Sequence, residues 1–149
     1  MGIHDDPTRQ DTWNIGVNIE DAQGVMQSWG LWDKKTGGEL DSDSTTYYPG
    51  GMRAQIDLGG RKTAGNLTLQ KLYDIVYDHE RIGQLLERVG RAKVNVHQRP
   101  LDIDGNPAVK AVNWNGRLKR VSLPDVDSES STAALVEIEV TIKGYPTLI

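Results

Sequence analysis

In ALVEIEVTIKG, near the C-terminus, the apolar residues Val136, Ile138, Val140 and Ile142 alternate with Glu137, Glu139, Thr141 and Lys143. A period of two sends successive side chains to opposite faces, so this run is a half-buried β-strand that needs neighbouring strands to cover its apolar side. TWNIGVNIE repeats the pattern, with Trp13, Ile15, Val17 and Ile19 on one face and Asn14, Gly16, Asn18 and Glu20 on the other. A turn at Asp21 to Gly24 leads into VMQSWGLWDK, which is apolar on both faces around Trp29, Leu31 and Trp32 and predicts a strand covered on both sides. NLTLQKLYDIVY places Leu67 and Leu69 together on a further strand. AKVNVHQRPLDI and PAVKAVNW flank Asp104-Gly105, a good hairpin turn, and the shared parity of Trp114, Gly116 and Leu118 predicts a strand continuing through a glycine bulge to Val121.

Helical spacing occurs in DHERIGQLLERVG, where Ile82, Leu85, Leu86 and Val89 recur on one face. Asp78 is the expected N-cap, Glu80 suits the positive end of the helix dipole, and Gly90 provides a left-handed stop. The predicted fold is mainly β, a two-sheet sandwich or barrel of about six to eight strands with one flanking helix and a long extended loop or hairpin arm. No repeat or linker divides residues 1–149, which form a single domain with an N-terminal arm over 1–11.

The arm is predicted from Thr36 to Gly65, TGGELDSDSTTYYPGGMRAQIDLGGRKTAG. Loops longer than about 12 to 15 residues are uncommon in compact domains and are usually functional or disordered. Thr45, Thr46, Tyr47, Tyr48, Ile56 and Leu58 have strand propensity, so the segment should be extended rather than shapeless, with its glycine pairs as joints.

Chemistry-bearing patterns are few. Net charge is −4 with a pI near 5.3, which argues against a protein built to grip nucleic-acid phosphates. Cysteine is absent, which excludes a disulfide framework, thiolate metal sites and a cysteine nucleophile together. No run of about 18 apolar residues occurs and MGIHDDPTRQ lacks the apolar segment of a secretory signal, so the expectation is a cytosolic chain without a membrane partner. GGRKT fails the phosphate-loop spacing, since Ile56 and Arg61 stand where glycines are required. DIDGN begins like a calcium loop, but Asn113 occupies the position that needs Glu. His4, His79 and His97 have no ligand spacing; Asp125, Asp127 and Glu129 could gather a cation, although a serine-rich loop of this kind is ordinarily just solvated. Neither a catalytic set nor a metal or cofactor site can be assembled, and the expectation is a protein that is not an enzyme. A small β-barrel ligand-binding module, with Trp29, Trp32 and Trp114 as its platform, is an alternative; tryptophans within apolar strands suit a core or interface better.

YYPGGM, a short extended run, GGRKTAGNLTLQK and then a turn into a helix follow in an order that resembles the tail tube proteins of long-tailed bacteriophages and the related inner-tube subunits of contractile injection systems. The residues carrying the likeness are Tyr48, Gly50, Gly51, Arg61, Lys62, Asn66, Thr68 and Leu69, and it extends through the helix to Lys143-Gly144. Where contractile members often have an acidic-basic pair before the glycines, this chain has Tyr47, Tyr48 and Pro49. The resemblance implies a major tail tube subunit of a phage or phage-like particle, assembled with itself as stacked hexameric rings around a channel for DNA passage and ejection, or alternatively the effector-conducting inner tube of an injection or secretion system. It implies tape-measure, tail-terminator and baseplate or tail-tip proteins as partners, a sheath if the tail contracts, transient genomic DNA in the lumen, and a place in the virion tail after assembly in the host cytoplasm.

Within that picture the inter-subunit residues are Tyr48, Gly50, Gly51, Arg53, Ile56, Leu58, Gly59, Gly60, Arg61 and Lys62, with the cations meeting acids such as Asp41, Asp43 or Asp127 on another subunit. Glu137 and Glu139 are the candidates for lining the channel, where negative or neutral walls would let DNA pass without sticking.

Overall fold

The computed structural model describes residues 13–47, 50, 56–76, 78–101 and 109–148, with the backbone alone at 43–47 and 56–61. Its strands are β1 (Trp13–Glu20), β2 (Met26–Trp32), β3 (Lys34–Gly37), β4 (Leu40–Tyr47), β5 (Ile56–Ala64), β6 (Leu67–Leu72), β7 (Lys93–Pro100), β8 (Val112–Ser122), β9 (Leu135–Ile142) and β10 (Thr147–Leu148); α1 covers His79–Glu87. All strand pairs are antiparallel. The main sheet runs β2-β1-β7-β8-β9-β6-β3 with β10 added on β8, and β4 and β5 form a separate two-stranded sheet. The fold is therefore mainly β with two sheets and one helix, as the alternation predicts.

β2 and β3 are separated only by Asp33, yet they pair with opposite ends of the sheet, β1 and β6. The sheet must therefore curl, although hydrogen bonding does not close it into a barrel. Its concave face is apolar: Val17, Leu67, Leu69, Val94, Val96, Leu118, Val136, Ile138 and Val140 join one cluster with Trp29, Trp32, Trp114 and Leu85 of α1. Removing a side chain of this size from water stabilises the fold by about 1.5–3 kcal/mol.

Two bulges adjust which residues face this core, and a third lies in the hairpin. Opposite Val17, β2 spends two residues, Trp29 and Gly30, and Gly30 takes φ +75°. The shift puts Trp29 and Trp32 on the same inner face and leaves Leu31 60% exposed, so β2 is covered on one side and not on both. In β8 the register shifts between Leu118 and Arg120, two residues beyond the expected glycine bulge. Gly116 instead serves a close approach, since a Cβ there would overlap the Thr141 carbonyl oxygen. In β4–β5, Gly60 and Arg61 together oppose Asp43, so the second glycine of the Gly59-Gly60 pair begins a bulge that twists the hairpin.

α1 begins differently from expectation. Asp78 has helical φ and ψ and makes no side-chain cap. Its side chain is 2% exposed, and its carboxylate accepts from the Asp74 amide at 2.8 Å and pairs with Lys71 Nζ at 3.0 Å, fastening the helix to β6. Tyr73 to Val76 turn the chain where the sequence suggested a longer strand, and Gly90 has the positive φ expected of a stop. The expected turn at Asp104-Gly105 and the N-terminal arm lie outside the described residues.

Replacing Gly116 by Ala should lower the unfolding free energy by about 1–3 kcal/mol, because backbone on β9 blocks the added methyl. Urea denaturation followed by tryptophan fluorescence checks this; an unchanged midpoint would mean that β8 and β9 are not held so closely.

Candidate functional site

Two surfaces stand apart from the core, the β4–β5 hairpin and the convex face of the main sheet. Among the described residues the hairpin is hydrogen-bonded to no other strand and, at about 3.3 Å per residue, its strands span about 25–30 Å. Its root is fixed. Gly38 is buried with φ +80°, a backbone region that disfavours side chains. The Trp114 indole Nε1 donates to the Gly38 carbonyl at 3.1 Å, the Gly38 amide donates to Asn66 O at 3.2 Å, and the Gly65 amide donates to Glu39 O at 2.8 Å. A Cβ on Gly38 would lie 2.6 Å from Leu67 Cδ2, so glycine is required by space as well as by φ. The ammonium of Lys35 sits 4.4 Å from the centre of the Trp114 ring, where burial pushes its pKa down and Glu39 partly opposes that. Core and arm thus share one tryptophan.

Among the residues proposed for inter-subunit contact, Gly50 is exposed in a turn, while Tyr48, Gly51 and Arg53 lie outside the described residues. Ile56, Leu58, Gly59, Gly60 and Arg61 follow one another along β5, and Lys62 is exposed, its ammonium 5.9 Å from the ring centre of Tyr145. Arg61 and Lys62 are therefore near the root of the hairpin, not its tip.

The convex face carries Glu137 and Glu139, but not as free acids. The bulge after Leu118 brings both Lys119 and Arg120 toward β9. Arg120 donates to Glu137 at 2.7 Å and to Glu139 at 3.2 Å, and Lys119 reaches Glu139 at 3.4 Å. The side-chain amide of Gln70 donates to Glu137 at 2.8 Å and that of Asn66 to Glu139 at 3.3 Å. Burial alone would push the Glu139 carboxyl up; the Asn66 amide and the two cations outweigh it and hold it below the ordinary carboxylate value. With Lys93 and Arg117 on the same side of the sheet by register, cations outnumber acids on this face, although the chain as a whole is acidic. Farther along, Asn95 donates to Asn113 at 2.6 Å and to Asn115 at 2.8 Å, and the His97 imidazole lies over Gly16, where a Cβ would collide with the ring.

The residues of other readings are dispersed or buried. Trp29, Trp32 and Trp114 are 7%, 4% and 6% exposed, which removes them as a ligand platform. His79 is at the start of α1, with Nδ1 2.9 Å from the Tyr73 hydroxyl. Among the described residues no group of three His, Asp or Glu side chains is gathered to hold a metal ion, and no helix is long and apolar enough to cross a membrane. Sequence reasoning missed the Trp114–Gly38 bond and the Asp78–Lys71 pair, since neither contact is signalled by local spacing.

No protein-family model matches the chain, and no curated protein matches it. Solved structures share its fold. A chain of the sheath–tube complex of the extracellular contractile injection system PVC, in its extended state, superposes with a TM-score of 0.69 at 16% identity, covering 96% of this chain and 90% of that one. A chain of the anti-feeding prophage tube-terminating cap structure gives 0.68 at 18% identity over 100% and 99%. A chain of the baseplate of the same prophage gives 0.66 at 15% identity over 96% and 95%. At these identities the likeness is one of fold, and it takes in nearly the whole of each chain.

Two outcomes follow from this geometry. Trp114→Phe keeps an aromatic core but strands the Gly38 carbonyl, and should cost about 1–3 kcal/mol while raising hydrogen exchange at Gly38 and Gly65; unchanged exchange would show that the indole does not hold the root. Burial first, then Arg99, lowers the pKa of His97 from its ordinary 6.5. Below that value the unfolded chain takes up a proton that the native site resists, so this group's contribution is retained above about pH 6.5 and lost as pH falls. The urea midpoint of wild type should drop between about pH 7.5 and about pH 5.5 by more than that of His97→Gln, and equal drops would contradict the assignment.

Proposed function

We propose that the chain is a structural subunit of a tube, of the kind that forms the inner tube of contractile injection systems. The observation that carries this reading is the β4–β5 hairpin. A two-stranded ribbon is at best marginally stable by itself in water. One that is anchored firmly at its root and, among the described residues, hydrogen-bonded to no other strand of its own body suits a surface supplied by another copy. The fold likeness to injection-system tube and cap components supports the same reading.

In the assembly the copies form stacked hexameric rings around a channel, and Tyr48, Gly50, Gly51, Arg53, Ile56, Leu58, Gly59, Gly60, Arg61 and Lys62 contribute to contacts between them. The convex face of the sheet, with Glu137 and Glu139 locked in their ion pairs, is the candidate channel wall. A sheath, a baseplate and a terminator are its partners, and the chain has no catalytic task. The second reading is a bacteriophage tail tube that conducts DNA, favoured by the order of the Tyr48 to Leu69 features. The mixed charge of the convex face favours the injection-system reading, because a cation-rich wall would retain a passing polyphosphate.

The test is the assembly of Arg61→Glu combined with Lys62→Glu. The variant should unfold at the wild-type temperature and remain monomeric under conditions where wild type forms rings or tubes, as judged by light scattering. Tubes formed by the variant as readily as by wild type would remove the hairpin from the interface.

A further inference from the structure

Charge is segregated along β9. Just beyond its C-terminal end Lys143 joins Lys93 of β7 and Arg117 of β8 in rimming a groove of about 500 Å3, whose apolar part includes Met26, 43% exposed, and whose remaining polar wall is carboxamide. No carboxylate lines it, and none of its three cations has an ion-pair partner among the described residues. Before the N-terminal end of β9 stands the opposite arrangement. Val126 is 97% exposed between Asp125 and Asp127. The loop is folded there: Asp127 Oδ1 accepts the Glu129 amide at 3.0 Å, and Asp127 O accepts the Ser130 amide at 3.2 Å. An apolar knob between two acids is thus presented to solvent, while a partly apolar groove between three bases is open elsewhere on the same molecule.

We propose that the Asp125-Val126-Asp127 tip of one copy seats in the Lys93, Arg117 and Lys143 groove of a second copy, and that this contact runs head to tail along the assembly. The proposal rests on the tube reading and names a surface for it. Charge complementarity selects the occupant: the groove offers cations without local acids, and the tip offers acids without local cations. The two features belong to opposite ends of an eight-residue strand, about 25 Å apart, and so belong to different patches of the surface. A contact between unlike patches is heterologous, which closes into a ring or continues as a stack. Aliphatic stems of Lys93 and Arg117 extend the apolar lining for Val126, and the charged ends remain at the rim.

The chain has no cysteine, so a directed cross-link gives a clean readout. Val126→Cys and Met26→Cys variants, each with wild-type circular dichroism, are mixed and treated with a short bismaleimide. Cross-linked dimer in the mixture, with little in either variant alone, is the expected result. No dimer in the mixture under conditions where wild type assembles overturns the proposal, as does equal dimer from either variant alone. A charge swap provides the second measurement. Asp125→Lys with Asp127→Lys should lower assembly on the order of a hundredfold, as should Lys93→Glu with Arg117→Glu and Lys143→Glu, and the chain carrying all five changes should recover. Wild-type-like assembly by either set alone overturns the contact while leaving the tube reading standing. A wild type that never assembles while the mixed cysteine variants still cross-link would sink the tube reading and keep the contact.

Discussion

The hydrogen bond from the Trp114 indole to the Gly38 carbonyl is where two halves of this structure meet. The ring belongs to the core that the curled sheet encloses, and the carbonyl belongs to the point at which the chain leaves the body to form β4 and β5. Because Gly38 is held by the indole, by Asn66 and by the positive φ that its neighbours leave it, the hairpin departs in one direction. Ordering a segment costs about 1–2 kcal/mol per residue in backbone entropy, so an arm fixed at its root needs less from a partner than a free loop would. On the proposed tube reading, that anchored arm is the part of the chain that meets another copy.

The same economy appears on the convex face. A half-buried sheet leaves one side to water, and here that side is neither bare nor uniformly charged. One extra residue in β8 places Lys119 and Arg120 beside the glutamates of β9, and the asparagines of β7 and β8 bond one another. Exposed ion pairs of this kind add little to stability, typically 0 to about 1 kcal/mol each. Their consequence is electrostatic: they cancel the acids in the middle of the sheet and leave uncompensated cations at one end and uncompensated acids at the other. This polarity is what the proposed head-to-tail contact between copies uses.

Much of this was legible in the sequence. The alternation in β1 and β9 sets their inner faces correctly, and the spacing of Ile82, Leu85, Leu86 and Val89 finds the helix, although only Leu85 of that face is buried and Leu86 and Val89 are exposed. The glycine-rich stretch between Thr36 and Gly65 contains the hairpin, whose strands are β4 and β5, but Thr36 and Gly37 at its start belong to β3 and pair with β6 in the main sheet. What escaped were register and long-range contacts. Gly30 was silent about moving Trp29 and Trp32 to one face, since a bulge depends on the partner strand. Asp78 looks like a cap in one dimension and becomes the buried partner of Lys71 in three. Glu137 and Glu139 have no marker that would pair them with Arg120, 17 and 19 residues away. Of the interface residues proposed between Tyr48 and Arg53, only Gly50 is among the described residues.

Electron microscopy of the purified wild-type chain in negative stain, across a concentration series, tests the central claim most directly. A tube subunit should give rings or tubes with a central hole, built from the chain alone and growing in number with concentration. Particles that remain single compact domains at every concentration would contradict it, since an arm anchored for a second copy would then have no copy to meet.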